Sequence, residues 1–375
     1  MKLLKFSHST MSQTHRTKFE WNDYFNATPV TTFGPNEYNS NQTLSGSNVH
    51  VLNCLFNKCT STSYGGALYC TSNYLLVESS SFFSCNTSGT YGGAIYFSNT
   101  GSGECVLHGV CGNDCCSTSI SSSLGQFASV YVKDTSSGKN CVNYSSIVRC
   151  VNKISSSRDP ISLNFGKICC QSTNISMNKC YYRPGFLCQP FKDLNSVTCS
   201  LSYSTFADNN AIFHTCILLL TESSKYEIKY CNILRNTQEQ FDSVGTIYTT
   251  GNLTIEDSCI VENKANNIFY SEYSSIITLL RCTVDNITYY GNLTVENTVT
   301  KSFIFVLKHM STENCHAEYD FSGYQIAIPY VLDSPKKMFC YSCKNNHYQS
   351  IISDSFSLIF VFIFTFINPN PSGYF

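Results

Sequence analysis

The sequence predicts an all-β protein built as a right-handed parallel β-helix, and three observations carry that prediction. The first is an internal repeat. YGGALYC at 64–70 returns as YGGAIYF at 91–97, so the tyrosines that open the two copies lie 27 residues apart. The second is texture. From about residue 48, runs of four to six strand formers (Val, Ile, Tyr, Phe, Cys, Thr) alternate with clusters of Ser, Thr, Asn and Gly. The third is that no stretch of twelve or more residues carries the 3.6-residue apolar period of an amphipathic helix.

The repeat dictates how the strands are used. A unit of about 20–30 residues with two or three short strands cannot bury its own apolar face, but it can when stacked on its neighbours. Each coil then pairs in parallel with the next at about 4.8 Å. At one offset of 27, LFNKCTSTSYGGALYC (55–70) falls on FFSCNTSGTYGGAIYF (82–97) without a gap. That alignment sets Phe56 against Phe83 and Thr60 against Thr87. A degenerate third copy is QFASVYV at 126–132, which lacks the glycine pair. Later units keep other parts: CNILRN (231–236), CIVEN (259–263) and CTVDN (282–286), with GNLTIEDS (251–258) returning as GNLTVENT (291–298). The step Phe-x-x-Asn occurs as FSCN, from Phe83 to Asn86, and as FADN, from Phe206 to Asn209.

Within a unit, the glycine pair suits a tight turn or a close approach to the next coil. The Asn that closes the apolar run suits a corner, because Asn tolerates the left-handed region and bonds its own backbone. Stacked corner Asn side chains are expected to bond one another. Period-two alternation places Leu68, Cys70, Ile95 and Phe97 inward, and Tyr69 and Tyr96 outward or at a coil edge.

Gly65-Gly66-Ala67-Leu68 and Gly92-Gly93-Ala94-Ile95, together with the Phe-x-x-Asn steps, resemble the GGA[IL]/FxxN repeats of the polymorphic outer-membrane-protein family. Such repeats occur in bacterial autotransporter surface proteins and in protist surface proteins. The resemblance implies a right-handed parallel β-helix similar to pectin-lyase-like folds. It also implies a non-catalytic role in adhesion or as a surface antigen, with unidentified protein or glycan ligands. Clear copies cover about 50–100 and degenerate ones reach about 300; only two of about ten coils carry GGA[IL].

The expected organisation is an irregular polar cap at 1–45, a β-helix at 46–335, a Cys-containing linker at 336–350 and an apolar C-terminal segment at 351–375. Within the last, FSLIFVFIFTFI (356–367) is a candidate membrane anchor. As a helix its twelve residues span about 18 Å, short of a hydrocarbon core of about 30 Å. A cleaved lipid-anchor signal and a buried final element are the other readings, and the following NPNPSGYF offers no basic stop.

Composition excludes some partners and favours a location. Charged residues make up 13% and net charge is −1, so no field is offered to nucleic acid. The 22 cysteines are too many for casual use in a reducing compartment and predict disulfides. The single C-x-x-C, Cys340 to Cys343, has no second pair to complete a zinc ribbon and reads as a local disulfide. Adjacent Cys115-Cys116 and Cys169-Cys170 would bridge to other segments. Sequons begin at Asn26, Asn41, Asn86, Asn143, Asn174, Asn252, Asn286 and Asn292, which favours the secretory route. The N-terminus lacks the apolar stretch of a signal peptide. Either the true start lies upstream or the chain stays in the cytosol with reduced thiols.

Catalytic signals are sparse. Sugar hydrolysis needs two carboxylates at a set separation, and neither Asp-Asp nor Asp-x-Asp occurs. His108-Gly109 reads as an exposed loop and Arg158-Asp159-Pro160 as a salt-bridged turn. Asp257, Glu262 and Asp285 read as solvated corners. No phosphate loop, nucleophile elbow or HExxH is present, and no cofactor or metal is implied. The expected function is a cell-surface or secreted interaction protein displaying loops on a stiff solenoid. A degenerate polysaccharide lyase or hydrolase, and a gene fragment, are the alternatives. The 25 tyrosines offer either half-buried strand surface or a recognition flank for sugars or proteins.

Overall fold

Strands of this chain pair with the strand one turn later, never with their own neighbour in sequence. The computed structural model describes residues 21–299 except 47, 120–122, 151–156, 214–215 and 241–243. Three long parallel sheets result. Sheet A has 11 strands, from Thr31–Phe33 to Asn292–Glu296. Sheet B has 10, from Glu37–Tyr38 to Thr283–Val284. Sheet C has 10, from Gln42–Leu44 to Tyr289–Tyr290. Each coil contributes one strand to each sheet, which is a parallel β-helix. Two three-stranded ribbons extend the corners after sheet B. The linker at 336–350, the run at 356–367 and Cys340/Cys343 lie outside the described residues.

The solenoid begins earlier than residue 46. Thr31 pairs with Val49, Glu37 with Leu55 and Gln42 with Leu68, so part of the expected polar cap is already a coil. Its polarity follows from position, since among the described residues its strands pair only with the coil after it and it buries little beyond Leu44. Before it, a four-residue helix, Trp21–Tyr24, lies against the outer face of sheet A. There Trp21 meets His50 at 5.8 Å and the following Phe25 meets Tyr74 at 4.9 Å.

Sheet B shows how the core is filled. Its inward column reads Phe56, Phe82, Gly112, Ile147, Ile175, Phe206, Ile233, Ile260. The rings of Phe56 and Phe82 stack at 4.7 Å. At Gly112 the missing side chain is replaced by Phe127, the residue just before the sheet C strand Ala128–Tyr131, whose ring would lie 2.5 Å from an added Cβ. Each fully buried side chain of this size contributes roughly 1.5–3 kcal/mol.

The column also corrects the repeat alignment. Phe56 pairs with Phe82, not Phe83, and Thr60 pairs with Asn86, not Thr87, whereas Tyr69 still pairs with Tyr96. The second copy therefore carries one extra residue before Tyr91. It lies between Thr87 and Tyr91, a stretch where Gly89 passes so close that an added Cβ would be 1.4 Å from the Ser63 carbonyl oxygen. Phe206 consequently matches Phe82, and Phe83 faces outward, half-buried. The position three residues after the inward aromatic or aliphatic is held by Cys59, Cys85, Cys115 and Cys150, then by Asn178, Asn209, Asn236 and Asn263. Asn86 is not in this column.

The four asparagines form the expected ladder. Asn178, Asn209 and Asn236 each donate from Nδ2 to the next Asn Oδ1, at 3.1, 2.9 and 2.9 Å. Each Oδ1 also accepts the backbone N–H of the residue one coil before, from Cys150, Asn178, Asn209 and Asn236. The second Nδ2 hydrogen goes to Ile147, Ile175, Phe206 or Ile233 carbonyls. In the cysteine half, thiols make the equivalent carbonyl bond: Cys59 to Tyr38, Cys85 to Phe56 and Cys115 to Phe82, at 3.2–3.5 Å.

The left-handed corner residue is not the ladder Asn but the residue just before the turn inward. After sheet A the corners are Asn53, Ser79, Gly109, Tyr144, Ser172, Tyr203, Tyr230, Asp257, Arg281 and Asn297. After sheet B they are Lys58, Ser84, Asp114, Arg149, Met177, Asp208, Arg235 and Glu262. A side chain there costs about 1 kcal/mol or more. The cost is offset by stacking, because most corner N–H groups bond the next coil, as in Ser79 to His108 and Asp208 to Leu234.

The glycine pair is used twice over. Gly65 and Gly92 sit at φ 58° and 62°, and a Cβ on either would strike the Leu68 or Ile95 carbonyl oxygen. Gly66 and Gly93 have ordinary backbone, but an added Cβ would lie 2.1 Å from the Gly93 or Gln126 oxygen one coil on. The third copy keeps Gly125 at φ 65° and replaces the second glycine by Gln126.

Cys111 is disulfide-bonded, and the other eighteen described cysteines are free thiols. Column stacking explains this for the ladder. In-register neighbours present sulfurs side by side along the axis, where each finds a carbonyl instead.

Candidate interaction surface

Sheet C carries the outward column Thr43, Tyr69, Tyr96, Ser129, Ser162, Leu187, Leu218, Tyr248, Tyr270, Tyr290. Tyrosine occurs toward both ends, and the middle four positions are buried. The flank is therefore two aromatic platforms. Tyr69 and Tyr96 do face outward while Leu68, Cys70, Ile95 and Phe97 are fully buried, as the alternation predicts.

The first platform gathers Tyr64, Tyr69, Tyr91, Tyr96 and Tyr131. Tyr96 is its hub, with Tyr64 at 4.9 Å, stacked Tyr69 and Tyr91 both at 5.7 Å, and Tyr131 at 6.2 Å. Tyr64 and Tyr91 are the tyrosines that precede the glycine pairs. The left-handed turn at Gly65 and Gly92 therefore also brings them back onto the sheet face. Burial pushes the Tyr96 phenol up and the Tyr131 phenol to about 12, so both stay neutral hydrogen-bond donors. The second platform is a straight stack. Tyr248 and Tyr270 lie at 5.3 Å, Tyr270 and Tyr290 at 4.7 Å. The Tyr248 hydroxyl donates to the Glu272 carboxylate, and Tyr290 is 58% exposed.

The other singled-out residues land as follows. Gly65, Gly66, Ala67, Leu68, Gly92, Gly93, Ala94, Ile95 and Phe206 are structural. The sequons divide by exposure: Asn252, Asn286 and Asn292, with Asn26, are exposed, Asn41 and Asn86 half-buried, and Asn143 and Asn174 buried. Asn143 Oδ1 accepts the Gln171 N–H, and Asn174 Nδ2 donates to Ser146.

His108 is not an exposed loop residue. It ends a sheet A strand, is buried, and shares a 2.7 Å hydrogen bond with the Tyr24 hydroxyl. Burial pushes its pKa down to about 4. Asp159 is paired as expected, but with Arg183 at 3.0 Å rather than within its own turn; Arg158 lies over the Tyr182 ring. Asp257 is bound by Arg281 at a corner, and the Asp285 carboxylate accepts the Glu262 N–H. Among the described residues no three His, Cys, Asp or Glu side chains gather as metal ligands. A surface hollow of about 110 Å³ includes one carboxylate, Asp193. No described helix is long and apolar enough to cross a membrane.

The tyrosine platforms are the feature that sequence reading located only in part. Tyr69 and Tyr96 were legible from alternation, but the convergence of Tyr64, Tyr91 and Tyr131 on Tyr96 depends on the glycine turns. Comparison with known proteins gives no match: no family model, curated protein or solved structure is similar to this chain.

Proposed function

We propose that this protein is a non-catalytic surface interaction protein that uses its two tyrosine platforms to hold glycan or protein ligands. The observation that supports it is the first platform, where Tyr96 holds four neighbouring rings on rigid, hydrogen-bonded strands. Flat aromatic faces with neutral hydroxyls at the rim suit sugar rings and the apolar parts of a protein epitope. A rigid platform loses little entropy on binding. The resemblance to polymorphic outer-membrane-protein repeats and the exposed sequons favour a surface or secreted location. A polysaccharide hydrolase or lyase would need a second carboxylate facing Asp193 or another cleft.

The test is binding of the purified chain to immobilised glycans and to intact cells. Tyr96→Ala is expected to weaken binding at least tenfold, and the Tyr270→Ala/Tyr290→Ala variant to weaken it for ligands of the second platform. Ligands bound equally by wild type and both variants would place recognition elsewhere.

A further inference from the structure

The outward middle column of sheet A reads His50, Leu76, Val106, Cys141, Cys169, Ser200. Leu76 and Val106 are fully covered, on the face where Trp21, Tyr24 and Phe25 pack. The cover ends at the next coil, and Cys141 and Cys169 are both partly open to solvent. They are direct neighbours in parallel register. Two residues before them, Lys139 and Lys167 form a second in-register pair, both exposed. Asn143 Oδ1 lies 3.8 Å from Cys169 Sγ.

We propose that Cys141 and Cys169 form a dithiolate site for a soft, two-coordinate monovalent metal ion of the Cu(I) class. The spacing argues for a bridging ion. In-register parallel strands lie about 4.8 Å apart, and two metal–thiolate bonds of about 2.3 Å placed end to end span roughly 4.6 Å. A disulfide would draw the Cβ atoms to about 3.5–4.5 Å, whereas both thiols are free here and a bridging ion suits the strand spacing as it stands. Ligand number argues for the ion class. Zinc takes four ligands, whereas no third His, Cys, Asp or Glu joins this pair among the described residues. Thiolates select soft ions such as Cu(I). Charge agrees: binding releases two thiol protons to solvent and leaves a complex of charge −1 beside Lys139 and Lys167.

The experiment uses the full, reduced chain under anaerobic conditions with Cu(I) delivered from a chelator. Alkylation rates are read thiol by thiol from peptide masses. One equivalent of Cu(I) is expected to slow alkylation of Cys141 and Cys169 at least tenfold and to leave the half-exposed Cys116 unchanged. Cys141→Ser should abolish the protection of Cys169, with an unchanged circular dichroism spectrum as the folding control. Equal protection of Cys116, or none at the pair, overturns the site. So does equal protection without metal through a Cys141–Cys169 disulfide.

Discussion

Asn209→Ala tests the ladder that replaces the expected Asn86 motif. The Asn209 side chain makes four N–H···O bonds inside the solenoid, and its Nδ2 also reaches Cys216 Sγ at 3.9 Å. Its Oδ1 takes the N–H and Nδ2 of Asn178, both at 3.1 Å, and its Nδ2 serves the Ile175 carbonyl and Asn236 Oδ1, both at 2.9 Å. Asn178 Nδ2 keeps its bond to Ile147 and Asn236 Oδ1 keeps the Asn209 N–H. The Asn178 N–H therefore loses its partner in a place that water does not reach, while the Ile175 carbonyl keeps its strand-ladder bond to the next coil. At roughly 1–3 kcal/mol for a buried group left unpaired, the loss is about 1–3 kcal/mol. Asn86→Ala is the matched control. Asn86 is half-buried and off the column, so its substitution should cost less than about 1 kcal/mol. Urea unfolding of both variants gives the comparison. Hydrogen exchange should locate the Asn209→Ala loss in the adjoining coils, because a solenoid couples nearest neighbours. Equal costs for the two variants, or a greater cost at Asn86, would refute the ladder register.

Gly66→Ala should lower stability by about 3 kcal/mol or lower the yield of folded chain, since its Cβ would meet the Gly93 oxygen at 2.1 Å; Gly101→Ala, whose nearest neighbour is 3.7 Å away, should leave the melting temperature within a degree or two. His108 predicts acid sensitivity. Its folded pKa of about 4 lies below the ordinary 6.5, so the unfolded chain binds the extra proton first. Its contribution is full above pH 6.5, falls as pH drops toward 4, and amounts to at most about 3 kcal/mol. Urea midpoints at pH 7 and 4.5 should converge in His108→Gln, and an unchanged pH dependence would remove His108 as the cause. If the chain enters the secretory pathway, site-resolved mass spectrometry should find glycans on Asn252 and Asn292. It should find none on Asn143 and Asn174, where a glycan would block the coil from closing.

Much of the architecture was legible because it follows from local periodicity. The 27-residue return of Tyr-Gly-Gly-Ala demanded stacking, and alternation around Tyr69 and Tyr96 set the faces of sheet C correctly. The failures share one cause. Phe82 and Phe83 are both apolar, and Cys85 and Asn86 both suit a corner, so residue type alone could not reveal a one-residue slip. Nor could it reveal that cysteine and asparagine occupy one column, since the two look unrelated until each is seen bonding the carbonyl of the coil before. His108 was misplaced because its cover, Tyr24, is 84 residues away in the chain.

The sequence by itself determined that this chain stacks short parallel strands: its repeat is too small to bury an apolar face alone, and its glycines fit only where coils nearly touch. The tertiary structure alone decided which residue stands above which. Register is set by hydrogen bonds between coils some 25–35 residues apart. Those bonds assemble the asparagine ladder, gather four tyrosines around Tyr96 and bring Cys141 beside Cys169.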